Sequence, residues 1–268
     1  MTPDRYRETF TRLKREKRSG FVPFAVIGDP DAATSLKVLS AFAKGGADII
    51  ELGVPFSDPV ADGPINQKAA IRSLKKGMNT ERVFAFVREA RKEIQAPIGL
   101  LCYYNIVMQY GIERFYRKAG ESGVDSILVA DAPFEESDKL YKASLRTPVK
   151  TVFLITELTD KARIKRIAQR TTGFLYLVSR LGVTGVQSSL DKSVKALVRR
   201  VRAVTNKPVC IGFGVSTPAH VKALAETGVN GIICGSAIVK VIEDNLSDRG
   251  KMLTKVETFV RSMKKAAS

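Results

Sequence analysis

The chain has 268 residues, 44% of them hydrophobic, with 44 Lys+Arg against 27 Asp+Glu and a formal net charge of +17. No apolar run approaches the roughly 18 residues needed to cross a bilayer, and residues 1–20 are rich in charge, which excludes a membrane helix and a secretory leader and points to a cytoplasmic protein. Cys102, Cys210 and Cys234 are odd in number, widely spaced and set in apolar runs; they read as buried free thiols rather than a disulfide framework or a zinc site. The positive charge raises the question of nucleic acid, but basic residues are scattered over helix faces without interleaved aromatics or a recognisable binding motif, so no nucleic-acid partner is expected.

Residues 5–17 read as a lead-in helix, and residues 21–27 (FVPFAVI) as a first strand closed by Gly28, Asp29 and Pro30. A helix with Val38, Leu39, Phe42 and Ala43 at helical spacing follows and stops at Gly45-Gly46. The next strand holds Ile49, Ile50 and Leu52 but is interrupted by Glu51. With a period of two, Ile50 and Leu52 share one face while Ile49 and Glu51 share the other, so a carboxylate is driven inward. Such a group must find a partner, shift its pKa, or work. The loop behind it carries Pro55, Pro59 and Pro64 with Asp58 and Asp62, too stiff and too acidic for an idle connector.

The alternation then continues. Residues 65–74 and 80–94 are helical, the second with Thr80 as its N-cap; residues 98–104 form a third strand, 112–120 a helix, and 126–130 a fourth strand ending at Asp131 and Pro133. Helices over 136–145, 160–169, 190–204 and 218–227 are separated by strands over 151–155, 174–178, 209–212 and 231–234. A final amphipathic helix uses Leu253, Val256, Phe259, Val260 and Met263.

Three joints, Gly46-Ala47-Asp48, Gly123-Val124-Asp125 and Gly228-Val229-Asn230, each end a helix and launch a strand. Eight strands alternating with helices demand a parallel sheet and close as a (β/α)8 TIM barrel with extra N-terminal and loop helices, expected as one domain over 1–268. An open doubly wound sheet is the alternative, but no GxGxxG turn follows the first strand.

In such a barrel the active face lies at the C-terminal strand ends, which selects Asp29, Glu51, Asp62 and Asp131 among the acids. The small-residue turns Gly212-Phe213-Gly214-Val215-Ser216 and Gly235-Ser236-Ala237 follow the seventh and eighth strands, where backbone N–H groups and the helix start at Ser236 suit a phosphate. Residues 179–190 (SRLGVTGVQSSL) read as a mobile lid. His220, the only histidine, is expected away from this face, on the surface or in the core.

The strings FVPFAVIGDP, ELGVPFSDPVADGP, IGLLCYYN, DSILVAD, SRLGVTG, GFGVS and CGSAIVK run through essentially the whole chain, which resembles the α subunit of tryptophan synthase. The resemblance implies a carbon–carbon lyase that splits indole-3-glycerol phosphate into indole and glyceraldehyde 3-phosphate. It implies no cofactor or metal in this chain, and indole passed to a PLP-dependent β subunit in an αββα complex. By the same resemblance Glu51 is the general acid and base, and Asp62 accepts a hydrogen bond from the indole N–H. Gly185, Phe213, Gly214, Gly235 and Ser236 match phosphate-binding positions. Phe24, Leu101, Tyr103, Leu128 and Tyr176 match the walls around indole, and Thr184 a lid threonine that bonds Asp62 on closure. Three features depart from the pattern: Glu157 within residues 155–159, Asn66 where an apolar residue is common, and the high positive charge. A noncatalytic barrel that docks a partner through residues 55–64, and another phosphosugar enzyme, are the alternatives. The intact Glu51, Asp62 and Thr184 speak against the first, and the lack of a Schiff-base lysine or ligand cluster at the strand ends against the second.

Overall fold

The computed structural model describes residues 3–178, 187–212 and 214–268, and of 187–192 the backbone alone. Its strands are β1 (Gly20–Val26), β2 (Ile50–Gly53), β3 (Ile98–Cys102), β4 (Ser126–Val129), β5 (Lys150–Thr151), β6 (Phe153–Thr156), β7 (Leu175–Val178), β8 (Val209–Gly212) and β9 (Gly231–Cys234). All pair in parallel, in the order β5-β4-β3-β2-β1-β9-β8-β7-β6. Val152 alone separates β5 from β6, and its N–H still donates to Ile127 O on β4 at 3.2 Å. The two pieces are therefore one stave, and the sheet closes as the eight-staved (β/α)8 barrel that strict alternation requires.

The helices are α1 (Arg5–Arg15), α2 (Ala32–Lys44), α3 (Pro64–Lys75), α4 (Thr80–Ala90), α5 (Tyr104–Tyr110), α6 (Ile112–Glu121), α7 (Asp138–Ser144), α8 (Lys161–Arg170), α9 (Gln187–Arg202), α10 (Pro218–Ala225), α11 (Ser236–Glu243) and α12 (Arg249–Ala266). A single 3-10 turn, Phe134–Glu136, precedes α7. Two local expectations are corrected. Thr80 is the first residue inside α4, and Asn79 is the cap, its side chain accepting from Arg82 N–H at 3.0 Å. The third strand ends at Cys102, and Tyr104 opens α5, a helix that short polar-apolar alternation did not reveal; Asp131 from the next strand end caps it by accepting Tyr104 N–H at 2.7 Å. The three cysteines are free and buried.

Alternation along each strand sorts two cores. Outward residues such as Ile50, Leu52, Ile98 and Leu100 meet the helices. Inward residues, among them Val22, Ile49, Leu128, Tyr176 and Ile233, fill the barrel, joined from below by Tyr6, Phe10 and Leu13 of α1. Tyr6 and Phe10 pack on Phe174 at ring distances of 5.7 and 6.4 Å, and the Tyr6 hydroxyl lies 2.8 Å from Ser126 Oγ, so the lead-in helix closes the lower end.

The three copied joints share one construction. Gly46, Gly123 and Gly228 take φ of +90°, +88° and +80°, a conformation that costs other residues strain. Two residues on, Asp48, Asp125 and Asn230 each accept an N–H at the start of the neighbouring strand: Phe21 at 2.9 Å, Ile98 at 2.8 Å and Val209 at 2.9 Å. Each is also bonded by guanidinium groups, Asp48 by Arg12 and Arg18, Asp125 by Arg5 and Arg91, and Asn230 by Arg202. Burial pushes the Asp48 carboxyl up, but Arg18, Lys264 and the Phe21 N–H outweigh it and hold the pKa below its ordinary value. Its contribution to stability is thus present above the ordinary carboxyl range and lost as pH falls below it. Asp48→Ala strands three cations and a buried N–H and is expected to cost about 3–5 kcal/mol in chemical denaturation, with Asp48→Asn costing less because, as at Asn230, an amide oxygen still holds the N–H.

Candidate active site

Glu51 sits at the second position of β2, in register with Phe24 on β1 and Gly99 on β3, and its side chain points into the barrel. Only 6% of it is exposed. It lines a cavity of about 340 Å³ at the C-terminal mouth. Burial, with the charge of Asp62 adding to it, pushes its pKa up to about 8; among the described residues no cation or hydrogen-bond donor offsets them. Glu51 is therefore largely protonated near neutrality, the state of an acid with a proton to give.

Asp62 reaches the same cavity from the loop between β2 and α3. Its Oδ2 accepts the Tyr103 hydroxyl at 2.7 Å and its Oδ1 the Asn66 amide at 3.1 Å, while Gln67 holds its main-chain oxygen at 2.8 Å. Phe56 from the same loop stacks on Tyr103 at 5.3 Å. Burial and Asp62 together drive the Tyr103 hydroxyl pKa well up, so that it stays a donor. The two carboxyl groups thus share one space with different partners, Glu51 without a donor among the described residues and Asp62 with two.

The walls are apolar. Phe24, Leu101, Leu128 and Tyr176 line the cavity, and so do Leu154, Val178 and Ile233, which sequence reasoning passed over. Period-two alternation was the available signal for these three, since each lies an even number of residues from another inward position. Gly212 makes room for the Tyr176 hydroxyl: a Cβ there would stand 2.6 Å from its oxygen.

Across the mouth, Gly214 (φ +71°), Gly235 and Ser236 line the same cavity. Ser236 opens α11, whose first turn has no side-chain cap, so its N–H groups and dipole face the space where an anion would sit. Thr184, Gly185 and Phe213 lie outside the described residues, as does most of the expected lid.

Two of the four acids selected by position have structural partners instead. Asp29 is buried and held by Arg72 Nε at 2.6 Å and Nη2 at 2.9 Å; burial raises its pKa, and Arg72 pulls it back. Asp131 caps α5. His220 lies in the first turn of α10, part-exposed and outside the cavity lining, with its Nδ1 3.4 Å from Ser216 N. Glu157 is exposed at the rim, where its carbonyl accepts from Arg200 at 2.7 Å. Among the described residues no three His, Cys, Asp or Glu side chains gather to hold a metal, and no helix is long and apolar enough to cross a membrane.

The family model described as tryptophan synthase alpha chain matches residues 10–268. The tryptophan synthase alpha chain of Methanothermobacter thermautotrophicus is 43% identical over 261 residues, which span 97% of this chain and 96% of that protein. The crystal structure of tryptophan synthase subunit alpha from Legionella pneumophila superposes with a TM-score of 0.90 at 30% identity, covering 98% of each chain. A chain of the tryptophan synthase a2b2 complex from Pyrococcus furiosus does so at 0.85 and 37% identity, covering 92% of this chain and 98% of that one. With the match running over nearly its whole length, this chain belongs to the tryptophan synthase alpha chain family.

Proposed function

We propose that the chain is a carbon–carbon lyase that cleaves indole-3-glycerol phosphate to indole and glyceraldehyde 3-phosphate, with Glu51 as its general acid and base. The observation that carries this reading is the Glu51 carboxyl, kept protonated near neutrality in a cavity it shares with Asp62. Glu51 gives its proton to the ring carbon that bears the glycerol chain. The ring becomes an indoleninium, and Asp62, accepting the N–H, stabilises that positive charge. The carbon–carbon bond then breaks, its electron pair returning to the ring as the chain hydroxyl becomes an aldehyde. The Glu51 carboxylate takes the hydroxyl proton, so the acid is restored and protons balance.

Phe24, Leu101, Tyr103, Leu128 and Tyr176 make the indole wall in this reading, and Gly214, Gly235 and Ser236 the phosphate grip, with Phe213, Gly185 and Thr184 assigned to the grip and the closing lid by resemblance alone. The step asks only for proton transfers and anion binding. No cofactor is assigned to this chain, and PLP is assigned to a partner β subunit in an αββα assembly. The Pyrococcus furiosus chain comes from such an a2b2 complex. Exposed apolar side chains around the mouth support a docked partner there: Val60 is 81% exposed, Leu158 95% and Met108 47%. A cytoplasmic location fits this assignment.

Indole release from indole-3-glycerol phosphate is expected to fall about 10²- to 10⁴-fold in Glu51→Gln and in Asp62→Asn; full activity in Glu51→Gln would refute the mechanism. Because Glu51 donates as the neutral acid, kcat should decline as pH rises through about 8. The same raised pKa favours the folded state most at low pH, a contribution lost as pH climbs from the ordinary carboxyl range through about 8. Glu51→Gln cannot ionise, and calorimetry should find it melting above wild type at pH 8 and higher. Leu158→Asp should weaken binding of a β subunit in titration while leaving cleavage by the isolated chain within about twofold.

A further inference from the structure

Asn66 lies in the first turn of α3 and lines the cavity, yet the reaction outlined above gives it no part. Its amide nitrogen donates to Asp62 Oδ1 at 3.1 Å. Its own carbonyl oxygen, Oδ1, is buried with no partner. An amide oxygen buried without a donor destabilises a fold, and an apolar side chain of similar size would avoid the loss. Turning the amide over would not help. It would set the carbonyl oxygen against a carboxylate oxygen at hydrogen-bond distance, two acceptors with no proton between them. The orientation of Asn66 is therefore dictated by Asp62, and one end of the amide is left unsatisfied so that the other can hold the carboxylate.

We propose that Asn66 is a positioning residue, fixing the Asp62 side chain through the oxygen that Tyr103 leaves, so that the carboxylate is aimed into the cavity before substrate arrives. This deepens the lyase reading and rests on it for what Asp62 does there. With Tyr103 on Oδ2 and Asn66 on Oδ1, each carboxylate oxygen has one neutral donor and keeps one acceptor site for a ligand. Two anchors at a fixed angle stop the carboxylate from pivoting, whereas Tyr103 alone leaves it a hinge.

Glu51 reports where Asp62 points. Among the described residues, the titratable groups that face Glu51 are Asp62 from the loop, Tyr176 on β7, Cys210 on β8 and Tyr6 from α1. Burial drives the two tyrosines and the cysteine well up, so all three are neutral across the working range, and Asp62 is the one charge among the four. If Asp62 swings away, the Glu51 carboxyl loses the repulsion that Asp62 adds to burial and its pKa falls.

The test is a carbon-13 carboxyl titration of the full-length chain, with the Glu51 resonance identified by its loss in Glu51→Gln. In Asn66→Leu the Glu51 midpoint is expected to move down by about half a unit or more, while the melting temperature holds or rises because the unpaired oxygen is gone. Asn66→Ala should shift the midpoint in the same direction should leucine crowd the wall. Cleavage should lose about fivefold in kcat/KM, and its alkaline limb should move to lower pH with the Glu51 midpoint. An unchanged Glu51 midpoint in both variants overturns the proposal. A titration that shifts as expected in a chain with no wild-type cleavage would instead overturn the reaction assignment and leave the role of Asn66 standing.

Discussion

The site depends on keeping water away from one carboxyl group. Glu51 stands on a short strand whose neighbours on both sides are hydrogen-bonded into the barrel, so its backbone cannot yield to let the side chain reach solvent. Ionising it there costs solvation that nothing nearby returns, and Asp62 adds repulsion. Asp62, by contrast, has two donors on its carboxylate, Tyr103 and Asn66. The difference between the two acids is therefore one of neighbours rather than of residue type, and the rigid sheet is what fixes those neighbours.

That rigidity is built from below. The Gly-x-Asp or Gly-x-Asn joint occurs at three staves, and in each the acid or amide ties the start of its own strand to the start of the one before. The guanidinium groups that gather on these residues come from α1 and α9, from the turn after α1 and from the residue that ends α4, so the ties also hold helices to the barrel floor. Much of the buried charge is spent at the end of the barrel away from the cavity, where it serves stability, while the acids that line the cavity itself are Glu51 and Asp62.

Most of the architecture was legible in the chain. Alternating periodicity placed every stave, and the last two strands coincide with their expected limits, because short β-branched runs bounded by glycine or proline leave little choice. The inward turn of Glu51 followed from parity alone. What escaped has physical reasons. The helix at Tyr104 depends on a cap supplied by Asp131, 27 residues away, and no local signal carries it. Asn79 and Thr80 both have capping side chains, and the choice between them was settled by which backbone turned extended. Asp29 and Asp131 satisfied the positional rule for active-site acids but are consumed by Arg72 and by a helix start, partners set by tertiary packing. Asn66 was visible as a departure from the family's pattern, but its bond to Asp62 and its stranded oxygen exist only in three dimensions.

The lead-in helix has a consequence for traffic. Tyr6, Phe10 and Leu13 stop the barrel from beneath, and Tyr6 is pinned to Ser126 inside it. Among the described residues the cavity opens at the mouth above this base, so what enters there to react leaves past the same lip. A sugar phosphate can depart into water there, but an oily, uncharged fragment released deep among Phe24, Leu128 and Tyr176 gains little from doing so. A corked bottom thus makes the identity of whatever sits on the rim decisive: it receives the second product or lets it escape.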